Sequence, residues 1–264
     1  MSSENSELLI RKYLPIYEAQ QAFTLSNHLA KLRKRGTKVM EFPSNLAQSV
    51  VFSANIEGNP VDYDTYLKYQ DQNIRPRNKS YQEIEDLLKA YQYAIAKKIT
   101  VQTLLHAHKL STRTLLKGTG KSGNIRSTMV YVYQRSQRIY TAVPAPAAET
   151  LLKTLVKEVN QLIKQKPSLT ECFYYAAMIH LRFVHIHPFA DGNGRTARLL
   201  EKWFLTQCLG DAAWLIHSER YYFRHLPKYY TNIKLGTTYQ TLDYDGCVPF
   251  LLMLPAALRY SYKG

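Results

Sequence analysis

The residues of this sequence best suited to chemistry lie close together in HIHPFADGNGRTARLL, residues 185–200: His187, Asp191, Asn193, Arg195 and Arg198, with Gly192 and Gly194 between them. His187 precedes Pro188, which disfavours helical backbone at the residue before it, so the imidazole falls in a loop. There, with a near-neutral pKa, it can take a proton from an attacking hydroxyl. Asp191 to Gly194 leads into an apolar run at helical spacing, so its backbone N–H groups lie at the positive end of a helix and form an anion site. The glycines let the backbone approach a phosphate closely. Arg195 and Arg198 are three apart and share a face of the first turn, where the helix dipole disfavours cations. An anion must compensate them, and a polyphosphate accepts both guanidinium forks, although a partner carboxylate would satisfy one of them. Asp191 is either the N-cap of the following helix or the ligand of a Mg²⁺ that bridges two phosphates. Phe189 anchors the loop in the core.

A second charge stands far upstream. PSNLAQSVVFSANIEGN, residues 43–59, reads as a short helix over about 44–57, with Ser44 as N-cap and Gly58 ending it. Leu46, Val50, Ser53 and Glu57 fall on one stripe. Glu57 stands in the last turn, where the dipole disfavours an anion, so it needs the kind of partner that Arg198 also lacks.

The elements that must position these groups are mainly helical. Apolar residues recur at three and four spacing over 44–56, 81–97, 101–117, 147–165, 169–184, 194–208 and 218–235. One segment differs: MVYVYQRSQRIYTAV, residues 129–143, is rich in Val, Ile, Tyr and Thr around a polar QRSQ, and predicts a β-hairpin closed by Pro144. The shift at RPRNKS, residues 75–80, marks the best boundary. It divides an N-terminal helical lobe, 1–75, from a core domain, 76–236, followed by a C-terminal helical extension, 237–264. KGTGKSGN, residues 117–124, lacks the first glycine of a P-loop, having Leu115 in its place. His180 and His185 have no companion ligand cluster and belong to the core or a loop.

The loop resembles the signature of the Fic family, HPFxDGNGRxxR, with all nine specified positions present: His187, Pro188, Phe189, Asp191, Gly192, Asn193, Gly194, Arg195 and Arg198. GNIRSTMVYV, residues 123–132, resembles the start of the Fic flap. SANIEGN, 53–59, resembles the inhibitory motif S/TxxxEG/N through Ser53, Glu57 and Gly58. The resemblance implies a Fic-type helical bundle with a small hairpin flap, 123–144, beside an active-site loop, 187–198. It also implies a protein adenylyltransferase that moves AMP from ATP to a Tyr, Thr or Ser hydroxyl of a target protein and releases pyrophosphate. His187 is then the base and Asp191 the Mg²⁺ ligand. Gly192, Asn193 and Gly194 cradle phosphate oxygens, and Arg195 and Arg198 address the β- and γ-phosphates. Glu57 pairs with Arg198 as a brake. Met129, Val130, Tyr131 and Val132 of the flap dock an extended target segment by strand addition. Self-modification and a homodimer are compatible with this picture. Use of another nucleotide and removal of AMP from a modified target are the alternatives within it. Tyr229 and Tyr230, in ERYYFRHLPKYY, are candidates for the adenine wall, beside a packing role for most of that segment.

Composition bounds the rest. With 264 residues, 45% of them apolar, the chain can bury one sizeable core. Cys172, Cys208 and Cys247 are odd in number and unpaired by spacing, and read as reduced core thiols. MSSENSELL has no export pattern and no window is apolar enough to span a membrane, so a cytoplasmic home is expected. The formal charge of +15 and 21 tyrosines also suit a basic nucleic-acid-binding module, which leaves the nine-position loop unexplained. The densest basic run is LAKLRKRGTK near residue 35.

Overall fold

The structure, a computed structural model, describes residues 7–21, 24–36 and 42–263. Its centre is α8 (Leu169–Ile186) packed on α9 (Asn193–Leu209). Fourteen of the 18 residues of α8 are buried, which a helix tolerates only when neighbours surround it. Ser168 and Glu171 form a capping box that fixes the start of α8. The remaining elements are arranged about this pair. In the N-terminal part they are α1 (Leu14–Gln20), α2 (Leu25–Gly36), α3 (Phe42–Ile56), α4 (Tyr63–Asp71), α5 (Lys79–Ile95) and α6 (Val101–Ser111). After the hairpin β1 (Tyr131–Gln134) and β2 (Gln137–Thr141) come α7 (Ala145–Gln165), α10 (Ser218–Arg224), α11 (Leu226–Ile233), α12 (Val248–Leu251) and α13 (Met253–Lys263). Helices α5 and α6 pair and lean on α9, α7 covers α8 and α9, and α3 lies between α5 and α10. Buried side chains from Leu8 to Leu258 form one apolar cluster, so the segment before residue 75 shares its core with the rest.

Several boundaries depart from the expectation. The helix expected to reach Lys117 stops at Ser111, because the Thr112 hydroxyl donates back to the His108 carbonyl (2.7 Å) and the buried Asp86 carboxylate captures the Thr114 N–H (2.8 Å). The helix expected over 218–235 is two helices. Pro227 has no N–H to continue the first and sits in the opening turn of the second. Helix α3 begins at Phe42, so Ser44 lies inside it and is not its N-cap. The extension 237–264 is α-helical only from Val248. Before that, Thr237 and Thr238 run beside β2. Thr37 and Lys38 of the basic run fall outside the described residues, as does part of the 1–75 segment. Lys31, Arg33 and Lys34 are exposed.

Candidate active site

The loop between α8 and α9 is held in a left-handed turn at both ends. His187 ends α8 at φ 53°, with its N–H on the Phe183 carbonyl, and Gly192 opens α9 at φ 79°. A non-glycine residue in that region is strained and persists only where its surroundings fix it. Here the Nε of Arg126 donates to the His187 carbonyl (2.7 Å) and the Arg126 backbone N–H donates to that of Pro188 (3.0 Å). The Asn193 side chain ties the loop from within, accepting from the Phe189 N–H and donating to the Phe189 carbonyl, both at 2.9 Å. Its amide is therefore committed to the loop, and its backbone N–H is what it brings to an anion. Gly192 has no substitute, since a Cβ there would lie 2.6 Å from the Thr112 methyl.

The ring of His187 is oriented for proton acceptance. Its Nδ1 lies 3.0 Å from the Val184 carbonyl, which can only accept, so Nδ1 carries the proton and Nε2 the lone pair. Burial lowers the pKa of His187, against the pull of the Val184 bond, with the charges of Arg126, Glu57 and Asp191 all near enough to act on it. The imidazole is thus neutral and able to receive a proton near pH 7.

His108 on α6 carried no sequence signal. Its buried ring stacks on Phe189 (3.6 Å between centroids, 7° between planes). Its Nδ1 accepts from the Gly123 N–H (2.9 Å) and its Nε2 donates to the Asp191 carbonyl (2.9 Å). Burial pushes its pKa down to about 4, so it stays neutral and holds both bonds. One imidazole thereby joins α6, the root of the hairpin and the loop. Arg126 supplies a second tie: its guanidinium reaches the carbonyls of Thr128 and Val143 on either side of the hairpin as well as His187.

The hairpin is a two-stranded antiparallel sheet with a bulge between Val132 and Tyr133. Beyond β2, the Thr141 N–H bonds the Thr237 carbonyl (2.9 Å). The outer edge of β1 pairs with nothing among the described residues. Met129 and Tyr131 are exposed, and Val130 and Val132 half-buried.

Glu57 and Arg198 do meet. Glu57 Oε1 accepts from Arg198 Nη2 at 2.7 Å, and the same guanidinium donates to the Ser53 hydroxyl and carbonyl, each at 2.9 Å. Burial works against the charge of Glu57, but Arg198 and then Arg195 outweigh it and hold the pKa below the usual carboxylate value. A third of the side chain (32%) remains exposed, whereas Arg198 is at 1%. Glu57 Oε1 occupies the space beside the Gly194 Cα, where any Cβ would collide with it. The carboxylate therefore sits against the backbone that the sequence assigns to phosphate. Gly58, at φ 87°, turns the chain out of α3, and the Tyr230 hydroxyl donates to the Ile56 carbonyl (3.0 Å) to fix that end. Arg195 is less engaged: its nearest carboxylate, Glu83, is 3.5 Å away, and its buried Nε has no partner. Asp191 is exposed, with Oδ1 accepting from the Gly192 N–H (2.6 Å).

Tyr229 is not placed to form an adenine wall. It is buried, and its hydroxyl accepts from Arg198 Nη1 (3.2 Å) and donates to His180 Nε2 (2.9 Å), while His180 Nδ1 donates to Glu201 (2.8 Å). Tyr222 donates to the same Glu201 oxygen at 2.9 Å. The guanidinium is fixed from behind by a relay that ends on a buried anion. His185 is likewise a core residue, bonded to the Tyr244 hydroxyl and the Ile233 carbonyl.

Residues 98–205 match the model of the Fic/DOC family. Among curated proteins it is similar to the protein adenylyltransferase Fic of Nematostella vectensis, 33% identical over 146 residues, covering 55% of this chain and 28% of that protein. The protein of the same name from Drosophila grimshawi is 28% identical over 200 residues, covering 72% of this chain and 38% of that one. The chain thus spans well under half the length of these relatives. Of solved structures, a Fic family protein from Desulfovibrio desulfuricans G20 superposes with a TM-score of 0.72 at 21% identity, covering 92% of this chain and 75% of that one. Fic-1 from C. elegans superposes with a TM-score of 0.63 at 19% identity, covering 95% and 71%. These superpositions bear out the mainly helical fold with its hairpin. No helix among the described residues is long and apolar enough to cross a membrane.

Proposed function

We propose that this chain is a protein adenylyltransferase whose nucleotide site is closed by Glu57. The observation that carries the proposal is the seat of Glu57 on Arg198 and against Gly194, within the loop that also holds His187. A target Tyr, Thr or Ser hydroxyl attacks the α-phosphorus of ATP and passes its proton to His187 Nε2. The bond from the α-phosphorus to its bridging oxygen breaks, and the electron pair leaves with pyrophosphate. The backbone of Gly192, Asn193 and Gly194 receives phosphate oxygens at the positive end of α9. Arg195, with its unpartnered Nε, and Arg198, once free of Glu57, take the terminal phosphates. Positioning and charge stabilisation then carry most of the rate, as is usual for transfer at phosphorus.

Asp191 suits Mg²⁺. It is one exposed carboxylate beside a phosphate cradle, with no cluster of three or more ligands around it among the described residues, and Mg²⁺ commonly takes one or two carboxylates together with substrate phosphates and water. Asp191 would hold the ion, which would supply neutralisation of phosphate charge. Met129 to Val132 present the edge on which the acceptor segment lies. We place the protein in the cytoplasm, where ATP and Mg²⁺ are both supplied.

The test is transfer of radiolabel to protein from ATP labelled at the α- or the γ-phosphate, using the Glu57→Gly chain with and without His187→Ala. Label is expected from the α-position alone and only with His187 present. Label from the γ-position, or label that survives His187→Ala, would overturn the proposal.

A further inference from the structure

The charge of this chain is unevenly distributed in a way that counting basic residues conceals. From Leu87 to Ala148, 62 residues contain ten Lys or Arg and no Asp or Glu. The other 202 residues carry 25 basic and 20 acidic side chains, so most of the net +15 arises in this stretch. The stretch comprises α6, the loop after it and the whole hairpin, and it borders the active-site loop.

Most of its basic side chains are exposed, from the end of α6 through the loop after it to the turn of the hairpin. Lys109 packs under Gly123, and the Ser122 hydroxyl donates to the Lys109 carbonyl (3.0 Å) and bonds the Thr112 hydroxyl (2.8 Å), which folds the 112–123 loop back onto the end of α6. Exposed Lys109, Arg113, Lys117 and Lys121 therefore lead to the root of the hairpin, and exposed Arg135 and Arg138 stand at its far end, in the turn and at the start of β2. Carboxylates at either end of the stretch are already engaged. Asp86 is buried on Arg113 and the Thr114 N–H, and Glu149 pairs with Lys153. Arg138 lies over the ring of Tyr131, 5.2 Å from its centroid, and Tyr131 and Tyr133 are exposed on strand β1, whose outer edge has no partner among the described residues. An arginine or two on an edge strand would serve to discourage self-pairing. A tract of 62 residues without one carboxylate exceeds that need.

We propose that the acceptor of this protein is an extended acidic segment of its target, laid along the free edge of β1 with its carboxylates on Arg135, Arg138 and the lysines beyond them. This rests on the adenylyl-transfer reading for its purpose and deepens it by naming the substrate class. The unpaired backbone of β1 supplies sequence-independent affinity, and the surrounding charge selects among strands and speeds encounter. An extended protein strand satisfies that edge in a way that a nucleic acid does not.

The test uses the full chain carrying Glu57→Gly and two dye-labelled peptides of equal length with the same central Tyr and Thr, one flanked by glutamates and the other by lysines. Binding is followed by fluorescence anisotropy at low and high salt, with single-stranded DNA as a third probe. The acidic peptide is expected to bind at least about tenfold more tightly than the lysine peptide, and less so at high salt. The double variant Arg135→Glu, Arg138→Glu should weaken it about fivefold, two exposed charge contacts each contributing a modest factor. Equal binding of the two peptides, no effect of the charge reversal, or tighter binding of the DNA with the same dependence on Arg135 and Arg138 each overturns the proposal. Transfer of α-label is scored separately. An acidic peptide that binds as expected and never accepts label leaves the docking surface standing and refutes the adenylyl-transfer reading.

Discussion

Replacing Glu57 tests the proposed brake in two coupled ways. The seated carboxylate makes one hydrogen bond of 2.7 Å to a guanidinium and keeps about a third of its side chain in solvent. A hydrogen bond to a charged group contributes about 1.5–3 kcal/mol, and solvent screening places this one near the lower end. Glu57→Gly should therefore raise the initial rate of label transfer from α-labelled ATP by about ten- to thirtyfold. Glu57→Gln keeps the shape but replaces a charged acceptor by a neutral one. It retains about 1 kcal/mol of seating and should raise the rate by only a fewfold. The stability arm runs the other way. Without Glu57, Arg198 is a cation at 1% exposure whose remaining bonds are to Ser53 and Tyr229. A loss of about 1–2 kcal/mol is expected, below the roughly 3–5 kcal/mol of a fully buried pair because Glu57 is partly exposed and the other bonds survive, which lowers the unfolding midpoint by about 2–8 °C. ATP with Mg²⁺ should restore that loss in Glu57→Gly and shift the wild type far less, since only the variant has an open seat. Both arms are read on the same preparations, by label incorporation and by thermal unfolding. A folded Glu57→Gly chain no faster than wild type, or equal rates for the Gln and Gly variants, refutes the reasoning from charge.

Gly192→Ala combines a left-handed φ of 79° with a Cβ 2.6 Å from the Thr112 methyl, and should cost about 2–3 kcal/mol in urea unfolding; Thr112→Ser on the same background should recover part of it. Burial pushes the pKa of His108 and of His217 down to about 4 and that of His185 to about 3, so the unfolded chain binds more protons than the folded one below about pH 6.5. Stability is then intact above that pH and falls as the pH drops towards 4, each histidine costing about 2 kcal/mol by pH 5. Denaturant unfolding at pH 7, 6 and 5 checks this, and a flat profile would contradict it. Tyr229→Phe removes one donor contact of Arg198 and cuts it off from His180 and Glu201. In the Glu57→Gly background it should raise KM for ATP several-fold with a smaller effect on kcat, whereas a defect confined to folding would change the amount of active enzyme and leave KM alone.

The parts of the site that could be read in the sequence are those that are contiguous in it. His187 to Arg198 spans a helix end, a turn and a helix start, each with its own local signature, and the hairpin is marked by a change of periodicity. The pairing of Glu57 with Arg198 was implied by the resemblance of SANIEGN to the inhibitory motif, and the place of Glu57 at the end of α3 called for a cation. What the sequence did not show depends on contacts across long separations. His108 matters only because the fold brings it to Asp191 and Gly123, and nothing around it in α6 differs from an ordinary buried position. Arg126 falls at the spacing by which GNIRSTMVYV resembles the flap, but its role rests on the carbonyls of Val143 and His187, which the fold brings to it beside that of nearby Thr128. The aromatic richness around Tyr229 points to its ring, whereas it is its hydroxyl that bonds Arg198 and His180. The break before α11 was legible in Pro227, and apolar spacing alone outweighed it. The absence of carboxylates between Asp86 and Glu149 is a property of the sequence that the positions of its basic clusters do not show.

The anchoring of α3 bears on how a brake at Glu57 can be released. Leu46, Val50, Val51, Ser53 and Ala54 are buried, and Ser49 donates to Glu219 (3.1 Å), which also pairs with the fully buried Lys202 and accepts from Tyr91. Withdrawing the helix would expose several apolar side chains at about 1.5–3 kcal/mol each and strip a buried charge cluster of one of its partners. That approaches the stability of a whole domain, about 5–15 kcal/mol, and is too large for a reversible switch. Glu57 itself lies past the last residue of α3, in a turn that Gly58 and the Tyr230 contact shape, and its side chain already meets solvent. Rotating it away breaks one charge-assisted bond and leaves the helix in place. Relief of the proposed brake therefore belongs to the turn at 57–58 and to whatever meets the exposed Tyr230 beside it, with the buried body of α3 serving to return the carboxylate to one seat.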